Sequence, residues 1–429
     1  MLFKGFRFIA LLVILLSTRG RSEINTAAYP MVSSKKGLQV QMVDDALQLG
    51  VKHAALNFNL SQLLDPHAAS GNFSWQQGAK IYHFHRNYVE ELDRQIKPLS
   101  DRGVLVSLIL LNYESAVPEV RRILQHPSYN PKCPNHLSAF NTVTTEGREA
   151  YSAAISFLAA RWSRPDTEFG RVWNWIVGNE VNSHWFWCNM GQVSAESFCE
   201  DYLRTVRLTH TAVRSYSAEA RVFLSLEHHW NIRYPGGSEG EAFPARPFLE
   251  RFAQRSREQG DFDWHIAFHP YPENLFEPRT WNDKTATPDW KTTPRITFRN
   301  LQTLTDFLNR PELHHKGRQR RVILSEQGFH TPSGPDGETI QAAAYCYAWM
   351  QVQRLDAIDS FILHRHVDHS AEGGLNLGLW THTPRSICTP EHRKRIYEVF
   401  LKADTADRNS AFAFALPLIG IPNWTAQRP

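Results

Sequence analysis

Residues 171–181 read RVWNWIVGNEV, and residues 320–327 read RRVILSEQ. Each is an apolar run that ends at a carboxylate: the first reaches Asn179 and Glu180, the second Ser325 and Glu326. A short apolar run without period-two alternation is how a strand buried on both faces reads, and such strands belong to parallel sheets covered by helices. A carboxylate at the end of such a run loses water, which costs free energy unless the charge is paired or used.

Outward from these two strands, Val172–Gly178 and Arg321–Ser325, the same rhythm recurs. A weakly marked strand Ala27–Val32 precedes helix Leu38–Leu49, and strand His53–Asn59 precedes helix Tyr88–Ser100. Strand Val104–Leu111 is followed by helix Gly147–Trp162, and Val172–Gly178 by helix Ala195–Tyr216. Strands Arg221–Leu226 and Trp264–Phe268 are followed by helices Pro247–Gln259 and Thr297–Asn309. Arg321–Ser325 leads to helix Thr339–Arg354, and Ala357–Leu363 to a last helix from about Glu391 to Lys402. Eight strands, each followed by a helix, predict an α/β fold of the closed (β/α)8 TIM-barrel type. Long βα-loop insertions fall at 60–86, with HFH at 83–85, at 112–146 and at 270–294. No Gly-rich phosphate loop or fixed-period repeat is present.

The chain has 429 residues, enough for one large barrel. Residues 1–22 carry Lys4 and Arg7 ahead of the apolar run Phe8–Leu16, the pattern of a signal peptide, so the expected location is secreted or periplasmic. The barrel is expected over 23–405 and a loosely packed C-terminal tail over 406–429. Of 47 basic residues, Lys4, Arg7, Arg19 and Arg21 lie in the leader; without them 43 basic residues face 43 acidic ones. A neutral mature chain gives no case for nucleic acid as partner, and none for stable membrane insertion after cleavage. In an oxidising compartment some of Cys133, Cys188, Cys199, Cys346 and Cys388 are expected to pair, with Cys188 to Cys133 or Cys199 the plausible bridges. No C-x-x-C pair marks a structural zinc site. N-x-S/T sequons stand at Asn59, Asn72 and Asn423.

In such barrels the strand C-termini converge on one mouth. Polar groups expected there are Asn57 and Asn59 from the second strand, Asn179 and Glu180 from the fourth, and Glu227, His228, His229, Trp230 and Asn231 from the fifth. The sixth adds His269 and Tyr271, the seventh Glu326, Gln327 and His330, and the eighth His364, Arg365, His366 and Asp368. Glu180 and Glu326 sit three strands apart, across the ring. Two facing carboxyl groups suit glycoside hydrolysis, in which one protonates the leaving oxygen and the other attacks the anomeric carbon.

An Asn-Glu pair closing strand four, with a second Glu closing strand seven 146 residues later, resembles the pattern of clan A retaining glycoside hydrolases over roughly residues 25–405. The resemblance implies Glu180 as acid/base, Glu326 as nucleophile and Asn179 as the partner of a sugar 2-hydroxyl. It also implies that His269 or Tyr271 touches the nucleophile. A Trp common in the clan at the end of strand eight is replaced by His364, with Trp380 the alternative floor of the first subsite. Trp185 and Trp187, in NSHWFWCNMG past the acid/base, are natural walls for sugar rings. Trp230, Asn57, Asn59 and His228 are further candidates for binding substrate. The histidine cluster and Arg365 hint at an anionic or sulfated carbohydrate. No cofactor or metal is expected. Two other readings stay open. One is a metal-dependent amidohydrolase-like barrel using the histidines of strands five and six with Asp368. The other is a non-catalytic glycan-binding barrel.

Overall fold

A computed structural model describes residues 24–425; the expected signal peptide lies outside the described residues. Eight parallel strands close into one barrel. They are β1 (Lys36–Gln39), β2 (His53–Asn59), β3 (Leu105–Leu111), β4 (Val172–Val177), β5 (Arg221–Glu227), β6 (Trp264–His269), β7 (Val322–Leu324) and β8 (Ile358–Leu363). The ring closes where β1 pairs with β8 on one side and β2 on the other. Helices α1 (Val43–Gln48), α2 (Arg86–Asp101), α3 (Thr145–Trp162), α4 (Ala195–Arg214), α5 (Ala245–Glu258), α6 (Gln302–Leu308), α7 (Gly337–Gln353) and α8 (Arg395–Lys402) follow the strands in turn. This is the expected (β/α)8 barrel.

Alternate residues of each strand point inward. Ala55, Ile109, Ile176, Phe223, Ala267, Ile323 and Ile362 meet in one layer inside the ring, which is a packed floor rather than a pore. The outward residues join the main core beneath the helices. Helix starts follow capping chemistry: Thr144 accepts from the N–H of Gly147 to open α3, and Ser194 from that of Ser197 to open α4.

Four boundaries differ from the expectation. The first strand is Lys36–Gln39, not Ala27–Val32. Its signal is hidden because Gly37 sits where a Cβ would lie 2.8 Å from Ile362 Cγ1 and 3.0 Å from His53 Cβ. The segment before it closes the lower end of the barrel, where the Tyr29 hydroxyl donates to Asn174 Oδ1 at 2.9 Å and Arg221 stacks on the Tyr29 ring. The helix expected from Leu38 accordingly begins only at Val43. Residues 73–84 form a hairpin, Phe73–Gln77 with Lys80–Phe84, so the HFH stretch lies partly in a strand. Its Phe73, Trp75 and Phe84 rings pack on Phe157 of α3, at the barrel's flank. Residues 390–393 form a second hairpin with 380–382 rather than the start of the last helix.

Residues 406–425 are not a loose tail. Two short helices, Arg408–Ala411 and Ala415–Ile419, bring Phe412, Ala415 and Trp424 into the main core. This explains why α7 is apolar almost all round: the barrel covers one side of it, and α8 and this segment cover the other. The five cysteines are all unpaired, so neither expected bridge from Cys188 is formed.

Candidate active site

Gly178 leaves β4 at φ +74°, which sets a sharp turn into the mouth. Glu180 itself is left-handed, at φ 41° and ψ 51°, a conformation that costs a non-glycine residue of order 1–2 kcal/mol. It is held from the neighbouring strand: the Glu180 N–H donates to Ser225 Oγ of β5 at 2.9 Å. Glu227, two residues further along β5, fixes the rest of the turn. Its Oε1 accepts from Asn182 Nδ2 at 2.6 Å and Ser183 Oγ at 3.0 Å, and its N–H donates to Asn182 Oδ1 at 2.9 Å. Its Oε2 meets the N–H and Nδ1 of His229 at 2.7 and 2.6 Å. Burial pushes the Glu227 carboxyl up, but these bonds and the charges of His229 and His228 outweigh it and hold the pKa at about 2.

Across the mouth, oxygens of Glu180 and Glu326 and a ring nitrogen of His269 all lie within 4.8 Å of one another. Both carboxylates are half-buried, whereas His269 is sealed. His269 Nδ1 lies 2.9 Å from Glu180 Oε1, and its Nε2 lies 2.9 Å from Ser325 Oγ of the turn after β7. Tyr271 donates its hydroxyl to Glu326 Oε1 at 3.2 Å. The two expected contacts of the nucleophile candidate therefore divide: Tyr271 touches Glu326, and His269 touches Glu180.

The electrostatics of the pair are unequal. Burial raises the Glu180 pKa; the hydrogen bond and charge of His269 pull it back, and the charges of Glu326 and Glu227 push it up again, leaving it above the ordinary value. For His269 burial works against charge, yet the bond to Glu180 and the charges of Glu326, Glu180 and Glu227 leave its pKa raised. The Tyr271 phenol is raised far above its usual range by burial and then by Glu326 and Glu180, so it stays a donor.

The remaining candidates separate. Asn179, beside Glu180, has no side-chain hydrogen bond among the described residues. Trp187 packs on the inner layer of the barrel, and Trp185 is not part of that cluster. Trp230 is not a subsite wall: it is fully buried, donates to the Trp290 carbonyl and packs edge-on against Phe307. Trp380 is not at the carboxylates either; its indole donates to Asp45 at 3.0 Å and its ring packs on Tyr397. His364 is tied to the Gln39 side chain and, at 2.7 Å, to Glu372. His228 is buried against His229, with its pKa lowered to about 3, first by burial. Asn57 accepts from Gln39, and Asn59 Oδ1 accepts from Ser61 and Tyr113. Asp368 is committed to Lys394 at 2.9 Å, so the set an amidohydrolase-like site requires is not assembled.

Sequence reasoning placed Glu227 at the mouth without a role and gave none to Ser225, Ser325 or Glu372. Ser225 and Ser325 were readable by counting two residues on from the inward Phe223 and Ile323. Glu372 carries no local signal.

Among the described residues, two groups present three donor atoms of the kind that hold metals, Glu180–His269–Glu326 and Glu227–His228–His229. In the first both His269 nitrogens are already engaged, and in the second Glu227 already accepts four hydrogen bonds.

Residues 28–427 match the model of a family described as "Family of unknown function (DUF5722)". No curated protein matches the chain significantly. Among solved structures, it is similar to a family 39 glycoside hydrolase from the gut symbiont Bacteroides cellulosilyticus WH2, at 14% identity and TM-score 0.54, covering 87% of this chain and 64% of that one. The chain thus spans less than two thirds of that enzyme's length. It is also similar to a hyperthermophilic beta-glucosidase from Pyrococcus furiosus, at 15% identity and TM-score 0.51, covering 88% and 86%. A glucosidase from Croceicoccus marinus is similar at 12% identity and TM-score 0.50, covering 89% and 69%. At such identities the likeness shows the fold, a barrel of the kind clan A glycoside hydrolases share.

Proposed function

The chain belongs to that family of unknown function, and we propose that it is a glycoside hydrolase working by retaining double displacement, with Glu326 as nucleophile and Glu180 as acid/base. The observation that carries this reading is the approach of the two carboxylates within 4.8 Å. Retaining enzymes need their carboxyl groups about 5–5.5 Å apart, whereas inverting enzymes leave about 6.5–9.5 Å for a water.

The asymmetry of the surroundings supports the division of roles. Glu180 has a raised pKa and a buried histidine at its side, which suits a group that must give up a proton. Glu326 accepts from a phenol that keeps its own proton, which suits a group that attacks as an anion. In the first step Glu326 bonds to the anomeric carbon as Glu180 protonates the departing oxygen. The charge of Glu326 is then spent in an ester, so one charge holding the Glu180 pKa up disappears, and Glu180 takes a proton from the water that releases the sugar. The free carboxamide of Asn179 is available to a 2-hydroxyl. A carbohydrate substrate and a secreted or periplasmic location are part of the same proposal.

A 2-fluoroglycosyl inactivator tests it. Peptide mapping by mass spectrometry is expected to find one adduct, on Glu326. Labelling of another residue would sink the assignment, and binding without turnover or adduct would leave a non-catalytic glycan-binding barrel.

A further inference from the structure

At the C-terminal end of the barrel a groove lies between the ends of β2 and β3 and helix α2. It encloses about 640 Å³, within the span of about 300–1,000 Å³ usual for ligand clefts. Asn57, Asn59, Gln62, Glu91, Gln95 and Tyr113 wall it, and no lysine, arginine or histidine lines it.

The groove and the carboxylates lie at the same end of the barrel, both built at the C-termini of the strands. Leu111 lines the groove and also belongs to the inner layer on which Trp187 packs. Tyr113 follows it at the rim, 41% exposed, with its N–H held by Asn59 Oδ1 at 3.1 Å. Burial raises the Tyr113 phenol, and the charge of Glu326 raises it further, so this groove residue lies within electrostatic reach of the reacting pair.

The polar groups of the groove are unspent. Gln62, Gln95 and Glu91 make no side-chain hydrogen bond among the described residues, and Asn57 uses only its oxygen. Carboxamides and a carboxylate with free valences, beside an exposed aromatic ring, match a sugar: hydroxyl pairs for the polar groups and a C–H face for the ring. Charge sets the class. Glu91 and Glu114 line the groove, and of the two only Glu114 has an ion-pair partner among the described residues, Arg121 at 3.8 Å, with His136 Nδ1 also 3.2 Å from it. A uronate or sulfate placed beside Glu91 meets a carboxylate without a countercharge. The histidines that hinted at an anionic substrate do not answer this, because His364 is tied to Gln39 and Glu372, and His228 is buried.

We propose that this groove is a subsite for an uncharged sugar unit, so that the substrate is a neutral oligosaccharide or polysaccharide reaching from the carboxylate pair past Tyr113 to Gln95. The proposal rests on the glycosidase reading above.

The test compares the full-length enzyme with its Gln95→Ala, Glu91→Lys and Tyr113→Ala variants. Substrates are nitrophenyl monoglycosides, neutral oligosaccharides ending in the same sugar, and uronate-bearing oligosaccharides. Expected is a loss of kcat/KM on the neutral oligosaccharide about tenfold larger than on the monoglycoside, carried by KM. Wild type should prefer the neutral over the anionic oligosaccharide, and Glu91→Lys should narrow that gap. Equal losses on short and long substrates, or a wild-type preference for the anionic chain, would overturn the groove while an adduct on Glu326 left the glycosidase reading intact. If no glycoside is cleaved, calorimetry with the neutral oligosaccharides decides separately: binding that the variants weaken keeps the groove and removes the reaction, and no binding removes both.

Discussion

Glu180 and His269 meet at 2.9 Å in a wall from which water is nearly excluded, so the protonation of one depends on the other. The hydrogen bond and charge of His269 pull the Glu180 pKa down, while burial and the charges of Glu326 and Glu227 push it up. Replacing His269 by Asn removes the downward pull. The basic limb of the kcat/KM profile, where the acid/base loses its proton, is therefore expected to move to higher pH, with kcat/KM lowered about 10–100-fold; a limb that stays or moves down would refute this coupling. Glu180→Gln should spare substrates with acidic phenol leaving groups, which need no protonation for the first step, and cripple those with sugar leaving groups by a factor of about 10³ or more. Glu227 makes a prediction about stability. Its folded pKa of about 2 lies below the ordinary 4.5, so its charged form stabilises the fold above pH 4.5, and that contribution fades as pH falls from 4.5 toward 2. Glu227→Gln should cost about 3 kcal/mol near neutrality and progressively less below pH 4.5, read as converging thermal midpoints.

Among the elements, those with long apolar runs were legible and those carried by close contact were not. His53–Asn59 reads as a strand from sequence and is one, to the residue. Lys36–Gln39 has one large apolar residue, Leu38, and its decisive member is a glycine whose value lies in what surrounds it. Gly37→Ala drives a methyl against Ile362 and His53 and should cost about 1–3 kcal/mol, at the strand that closes the ring. The C-terminal segment was misread for a related reason: its sequence is too short and mixed to show a period, while its partner α7 is apolar all round, which is a request for cover on a second side. Phe412 is fully buried there, edge-on to Trp424. Phe412→Ala should lower stability by about 3–5 kcal/mol, visible as a clear fall in the thermal midpoint; a loss under about 0.5 kcal/mol, the surface level, would mean the segment is loose after all.

At the scale of the whole molecule, the ring assembles groups that lie far apart along the chain: Glu180 after β4, His269 at the end of β6, and Ser325 and Glu326 after β7. Strand order placed the two carboxylates, His269 and Tyr271 at one mouth, and the resemblance to clan A enzymes implied that His269 or Tyr271 touches the nucleophile. Neither could sort Trp187, which packs on the inner layer, from Trp230 and Trp380, because an aromatic residue in a loop reads the same whether or not its indole N–H is spent on a neighbour. Nor could it decide the cysteines, whose pairing depends on distances set only when the ring has closed. A chain expected outside the cytoplasm, with five cysteines and no bridge, has to resist oxidation by burial. Four of the five are sealed in the interior, and only Cys388 is partly exposed. Burial raises Cys188 and Cys199 to about 12 and lifts Cys346 well above the ordinary thiol range, so at these three the thiolate that would react is almost absent at neutral pH. Stability then comes from the closed barrel and its core, not from cross-links. A disulfide-forming chromogenic reagent should modify no more than Cys388 in the native protein and all five thiols after denaturation, and reductant should leave the thermal midpoint unchanged. A shortfall of two thiols in the denatured protein, with a midpoint that falls on reduction, would restore a bridge from Cys188 to Cys133 or Cys199 and overturn the unlinked barrel.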